Sequence, residues 1–241
     1  MKHHTLHGAG LALRPALLAP LKQRVPEHLQ FLELTPPDWI GMGGRTGNAL
    51  QQLTQRYPSV CLSQSLSLGG PGSLDKHVLR DLCAFIAEHD VQVFSEALAW
   101  SADDAPLFIN LPIPSTQAAV AWTVGRIAQV QDALGLRIGI RNVAHRIAPP
   151  QVEMNEAQFI SAVVRESGCS LHLDLHALAA NALHFGFDAH AFLQELPMPS
   201  IDYVRVGREY SLLGEVLART HRRVARCLDD VKQLNLEAVT C

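Results

Sequence analysis

The chain has 241 residues, 48% of them hydrophobic and 18% charged, so it carries enough apolar side chain for a large core and too little charge for disorder. Its 20 Lys and Arg stand against 23 Asp and Glu, for a net charge of -3 with no basic run, which argues against a nucleic-acid-binding surface. No window reaches the roughly 18 apolar residues of a membrane span, and the first residues lack the apolar core of a signal peptide. Five cysteines, Cys61, Cys83, Cys169, Cys227 and Cys241, are odd in number, widely spaced and free of any CxxC pattern. They read as reduced thiols, and the expected setting is the cytoplasm.

After a short tail (residues 1–7), strand-like runs are expected at 11–15, 29–36, 59–65, 91–99, 137–142, 171–176, 203–209 and 234–239. Helical patterns lie between them at 47–57, 73–90, 116–135, 155–167, 188–196 and 212–233, with Ser73 and Asn155 as candidate N-caps and Gly135 as a C-cap. Alternation of this kind implies parallel strands joined by helical crossovers, and eight strands at a repeat of about 30 residues predict a single (β/α)8 barrel over 8–241. On this parsing the chain stops almost on its eighth strand, so a truncated C-terminal end is expected.

In a parallel barrel the reactive groups sit at the C-terminal strand ends. Polar residues there are Glu33, Glu96, Arg141 with Asn142, Asp174 with His172 and His176, Arg205 and Glu237. In LHLDLH (171–176) the alternation assigns His172, Asp174 and His176 to one face. Two chemistries account for such a set. One is a metal site, for which Glu33, Glu96, Asp174 and His176 are the candidate ligands. The other is an ion-pair core in which Arg141 and Arg205 neutralise the acids, and the charge arithmetic favours it because a guanidinium beside a cation is repulsive. The turn Gly69-Gly70-Pro71-Gly72 lacks the Lys-Ser/Thr of a phosphate loop and reads as a turn. His145 follows in a loop, RTHRR (219–223) reads as a solvated helical face, and Trp39 and Trp100 either wall a pocket or cap the core.

The segments GAGLALRP (8–15), LELTPPDW (32–39), YPSVCLSQSLSLGG (57–70), FSEALAWS (94–101), QVQDALG (129–135), GCSLHLDLH (168–176) and HFGFD (184–188) carry a family likeness. The chain resembles the multinuclear non-heme iron-dependent oxidative enzymes, formerly domain of unknown function 692, which modify cysteine-containing peptides. The resemblance implies a xylose-isomerase-like TIM barrel with iron ligands at the strand ends. It also implies departures. Histidines of the family pattern fall on Leu62, Ala97 and Arg205, a ligand acid falls on Arg141, and His176 replaces an asparagine. Glu33, Glu96, Asp174 and Glu237 remain at family positions, whereas Pro37 and Asp38 depart from the second-strand pattern. The expectation is a degenerate member holding no metal, serving as a non-catalytic or accessory partner in peptide modification. It would bind a protein partner, such as an intact homologue, or a peptide or small anionic ligand. The alternative is an iron-dependent oxidative enzyme with a reduced, remodelled site acting on cysteine-containing peptides, in which His176 or His184 replaces lost ligands.

Overall fold

A computed structural model describes residues 6–23, 29–103, 105–207, 209–220 and 225–228. Its elements in chain order are β1 (Ala9–Leu13), α1 (Leu18–Gln23), β2 (Phe31–Leu34), α2 (Gly44–Arg56), β3 (Ser59–Ser63), α3 (Lys76–Glu88) and β4 (Val91–Ala97). There follow β5 (Trp100–Ala102), β6 (Pro106–Leu111), α4 (Gln117–Leu134), β7 (Gly139–Arg141), α5 (Glu156–Ser167) and β8 (Ser170–Asp174). The last are α6 (Leu175–Phe185), α7 (Ala189–Glu195), β9 (Ile201–Val206), α8 (Tyr210–Arg219) and β10 (Ala225–Leu228).

Eight parallel strands close a barrel in the order β1-β2-β3-β4-β7-β8-β9-β10, with β10 returning to β1 through Ala9 opposite Arg226 and Leu11 opposite Leu228. Strand alternation divides the apolar residues into two layers. Leu11, Leu13, Leu32, Leu34, Phe94, Ile138, Ile140, Leu171, Leu173, Val204 and Val206 join the helices in the main core. Their neighbours Ala12, Phe31, Val60 and Tyr203, with Val93, fill the barrel axis as a smaller second cluster. The inward parity of β2, β7, β8 and β9 continues upward into Glu33, Arg141, Asp174 and Arg205, so the strand pattern itself delivers the charged ring. Close approach at the floor depends on Gly139, where a Cβ would stand 2.3 Å from the His172 imidazole.

Capping chemistry fixes the helix starts. Thr116 accepts from the Ala119 amide, and Asn155 forms a reciprocal capping box with Gln158. Gly135 and Gly168 end α4 and α5 in left-handed conformation. The third helix is capped by Asp75 rather than Ser73, because the Asp75 carboxylate accepts from the His77 and Val78 amides. An antiparallel hairpin, β5 with β6, rises from the end of β4 and was not anticipated.

Two expectations are corrected. The pattern at 212–233 does not run as one helix: α8 ends at Arg219, and β10 supplies the eighth strand at 225–228. The expected strand at 234–239, with Glu237, lies outside the described residues, and the chain continues beyond its closing strand, which withdraws the basis for a truncated barrel. Of the RTHRR run, Arg219 turns back onto the Leu193 carbonyl and Glu215, while residues 221–224 lie outside the described residues. Among the described residues no helix is long and apolar enough to cross a membrane.

Candidate functional site

At the C-terminal mouth of the barrel the inward ring is a charge network. Arg205 Nε donates to Glu33 Oε1 at 3.3 Å, and Arg205 Nη1 donates to Asp174 Oδ2 at 3.3 Å. Arg141 Nη1 donates to the same Asp174 oxygen at 3.5 Å. The Tyr203 hydroxyl donates to Glu33 Oε2 from one layer below. Asp174 serves twice, because its Oδ1 also caps α6 by accepting from the Ala177 amide at 2.9 Å. These residues are held by sequence-distant strands, and only barrel closure brings Glu33 to Arg205.

Glu96 departs from this group. It shares the strand parity of Phe94, whose ring lies in the outer core, and is fully buried beneath the loop that follows β3. Its Oε1 accepts the Leu66 amide at 3.2 Å, while Oε2 has no hydrogen-bond partner among the described residues. Burial pushes its pKa up to about 7, against the lowering pull of neighbouring Ser63, the Leu66 amide and Arg141. The covering loop is strapped from outside by α4: Arg126 donates to the carbonyls of Leu66, Ser67 and Gly72, and Trp122 donates to Gly70. A side chain at Gly69 would strike Ile113, so the glycine run serves as a tight turn.

Asn142 is likewise a fastening. Its amide donates to the Asp174 carbonyl at 3.0 Å and its oxygen accepts the Asp174 amide at 2.8 Å, extending the β7–β8 pairing by a side chain. His176 does not share the Asp174 face, since the chain turns from strand to helix at Asp174 and puts His176 in the first turn of α6. Its side chain is 70% exposed and pairs with Glu209 at 3.0 Å. Exposed His184 contacts the Arg146 carbonyl on the loop after β7. His145 belongs to the same loop, with its amide bonded to Asn181 and its ring against the Asn110 carbonyl. Burial lowers its pKa. His172 lies on the floor against Tyr203, with its pKa lowered to about 4 by burial.

A cavity of about 320 Å³ opens above the ring. It is lined by Arg141, Arg205, Asp174 and His176, with Thr35, Leu62, Ser63, Gln64, Asn110, Val143, Ala144 and Ala177. Glu33, Glu96 and Asn142 from the expected set are not on its surface. Tyr203 was missed although it lies two residues before Arg205 on the same strand face, which is a readable signal. Gln64 and Asn110 arrive from a loop and the hairpin, where sequence carries no such signal. Trp39 packs in the main core, and Trp100 opens the hairpin with its indole N–H on the Ala102 carbonyl. Pro36–Asp38 form a short 3-10 turn, and Pro37 and Asp38 are exposed.

Glu33, Asp174 and His176 each have a protein partner, and Glu96 lies away from the cavity. Among the described residues no group of three or more His, Cys, Asp or Glu is placed to hold a metal ion. Of the four candidate ligands, Asp174 and His176 line the cavity, whereas Glu33 and Glu96 do not.

Known proteins resemble the chain in sequence and in fold. Residues 8–239 match the family model described as RiPP precursor modification enzyme MbnB/TglH/ChrH. A UPF0276 protein of Pseudomonas aeruginosa is 37% identical over 241 residues, covering 100% of this chain and 84% of its own. A UPF0276 protein of Nitrosospira multiformis is 36% identical over 212 residues, covering 88% of this chain and 75% of its own. Among solved structures, a D-allulose 3-epimerase from Methylomonas sp. in complex with D-allulose superimposes with a TM-score of 0.61 at 14% identity, covering 94% of this chain and 84% of that one. At that identity the likeness is one of fold.

Proposed function

This chain belongs to the MbnB/TglH/ChrH family of RiPP precursor modification enzymes, and we propose that within it the chain is an accessory, non-catalytic barrel that binds a protein or peptide partner in a peptide-modification system. The observation that carries this reading is the pair of guanidiniums, Arg141 and Arg205, on the carboxylates at the mouth. A fixed guanidinium neutralises a carboxylate without a metal, and a second cation beside it would meet repulsion of several kcal/mol on the order expected for like charges in a partly buried site. The free thiols Cys61, Cys83 and Cys169 suit the reducing cytoplasm.

The test is elemental analysis of protein purified from iron-supplemented cells. The expected result is well under one equivalent of iron, and two or more equivalents would overturn the reading. Size-exclusion chromatography with products of adjacent genes, an intact homologue first, supplies the second arm. Co-elution is expected, and a monodisperse monomer that engages none of them would count against the accessory role.

A further inference from the structure

Arg141 is a guanidinium with five N–H donors, yet among the described residues its side chain makes one hydrogen bond, at 3.5 Å to Asp174. That is long for a charge-assisted contact, which normally closes to about 2.7–2.9 Å. Its Nε is buried with no acceptor, and the residue is only 8% exposed. Arg205 draws on the same Asp174 oxygen from the other side, so two cations compete for one acceptor. Glu33 does not face the cavity. On the cavity wall Arg141 and Arg205 share Asp174, Arg205 being paired with Glu33 as well, and Gln64 and Asn110 line the same cavity.

From this juxtaposition we infer that the mouth cavity is a carboxylate site that takes the C-terminal end of a peptide, its carboxylate on Arg141 and Arg205 and its backbone amides toward Gln64 and Asn110. The volume of about 320 Å³ is at the small end of ligand pockets and exceeds what a bare acetate needs. The inference rests on the reading above that the mouth holds a ligand rather than a metal centre.

Isothermal titration of the full chain tests it, with iron content measured on the same sample. The probes are N-acetyl-triglycine, its C-terminal amide, sodium acetate and inorganic phosphate. N-acetyl-triglycine should bind at least about tenfold more tightly than its amide and than acetate, as expected when a charge-assisted fork is lost. Arg141→Lys, which keeps the charge and loses the fork, should erase most of that preference. Gln64→Trp, at an exposed rim position, should obstruct the cavity and abolish binding without touching the ion pairs. That second variant keeps the test decisive if Arg141→Lys does not fold. Equal affinity for acid and amide, no heat with the acid at about 10 mM, acetate matching the peptide, or phosphate saturating where the peptide acid does not would each overturn the inference. Iron-free protein that ignores the peptide acid sinks this inference alone, whereas two or more irons sink the reading beneath it.

Discussion

Two sets of buried carboxylates lie within one barrel and are treated in opposite ways. Glu33 and Asp174, on the inward parity of β2 and β8, are met by Arg141, Arg205 and Tyr203. Glu96, on the outward parity of β4, receives one backbone amide and keeps an oxygen without a partner among the described residues. Equal burial does not mean equal cost. A buried charge is tolerable when cations and hydrogen bonds replace the lost water, and otherwise the group shifts toward its neutral form. One parity step along a strand decides which of these an acid experiences.

The largest expected break in this contrast comes from Arg205→Met. It removes the cation that joins Glu33 to Asp174, and losing one partner of a mostly buried ion pair costs about 3 kcal/mol. Urea unfolding at pH 7 measures it, and a loss under about 1 kcal/mol would mean that solvent already screens the ring. Asn142→Ala comes next, since it strips the Asp174 amide and carbonyl of their partners. Leaving such groups unsatisfied should cost about 2 kcal/mol, and the same unfolding curves report it. An unchanged midpoint would show that the β7–β8 fastening is redundant.

The smallest effect has the opposite sign and depends on pH. Glu96 has its folded pKa raised from 4.5 to about 7, so between those values the native state binds more protons than the unfolded chain. Its contribution is therefore most favourable below about pH 4.5 and is lost as pH rises through about 7. Glu96→Gln, which imitates the protonated acid, should be close to neutral at pH 5 and stabilising on the order of 2 kcal/mol at pH 8. Glu156, also raised to about 7 by burial, shares this window, while His172, lowered to about 4, works in the reverse direction. The difference between variant and wild type isolates Glu96, and a difference that stays flat with pH would show that its second oxygen is hydrated.

Much of this was legible before any coordinates. The alternation in LHLDLH and YVRVGRE puts Asp174 and Arg205 on inward faces, and the caps Asn155 and Gly135 mark helix ends that the structure keeps. What failed, failed for local reasons. LHLDLH alternates through His176, but Asp174 is a strong cap and the following residues are good helix formers, so the strand stops where alternation does not. Residues 212–233 read as one amphipathic run, yet closing the barrel requires a strand at Ala225–Leu228, and tertiary pairing overrides local preference. The hairpin around Trp100–Leu111, which brings Asn110 to the cavity, pairs only with itself and left no periodic mark strong enough to read.

By itself, the sequence determined the barrel class, the family and the inward acids Glu33 and Asp174, because side-chain alternation and capping act over a few residues and survive in the one-dimensional pattern. Tertiary structure alone decided which cation meets which acid, that Glu96 turns away and that Arg141 is left with donors to spare. Those outcomes depend on register between strands and on distances across a closed barrel, as in Arg205 reaching Glu33, and no local rule encodes them.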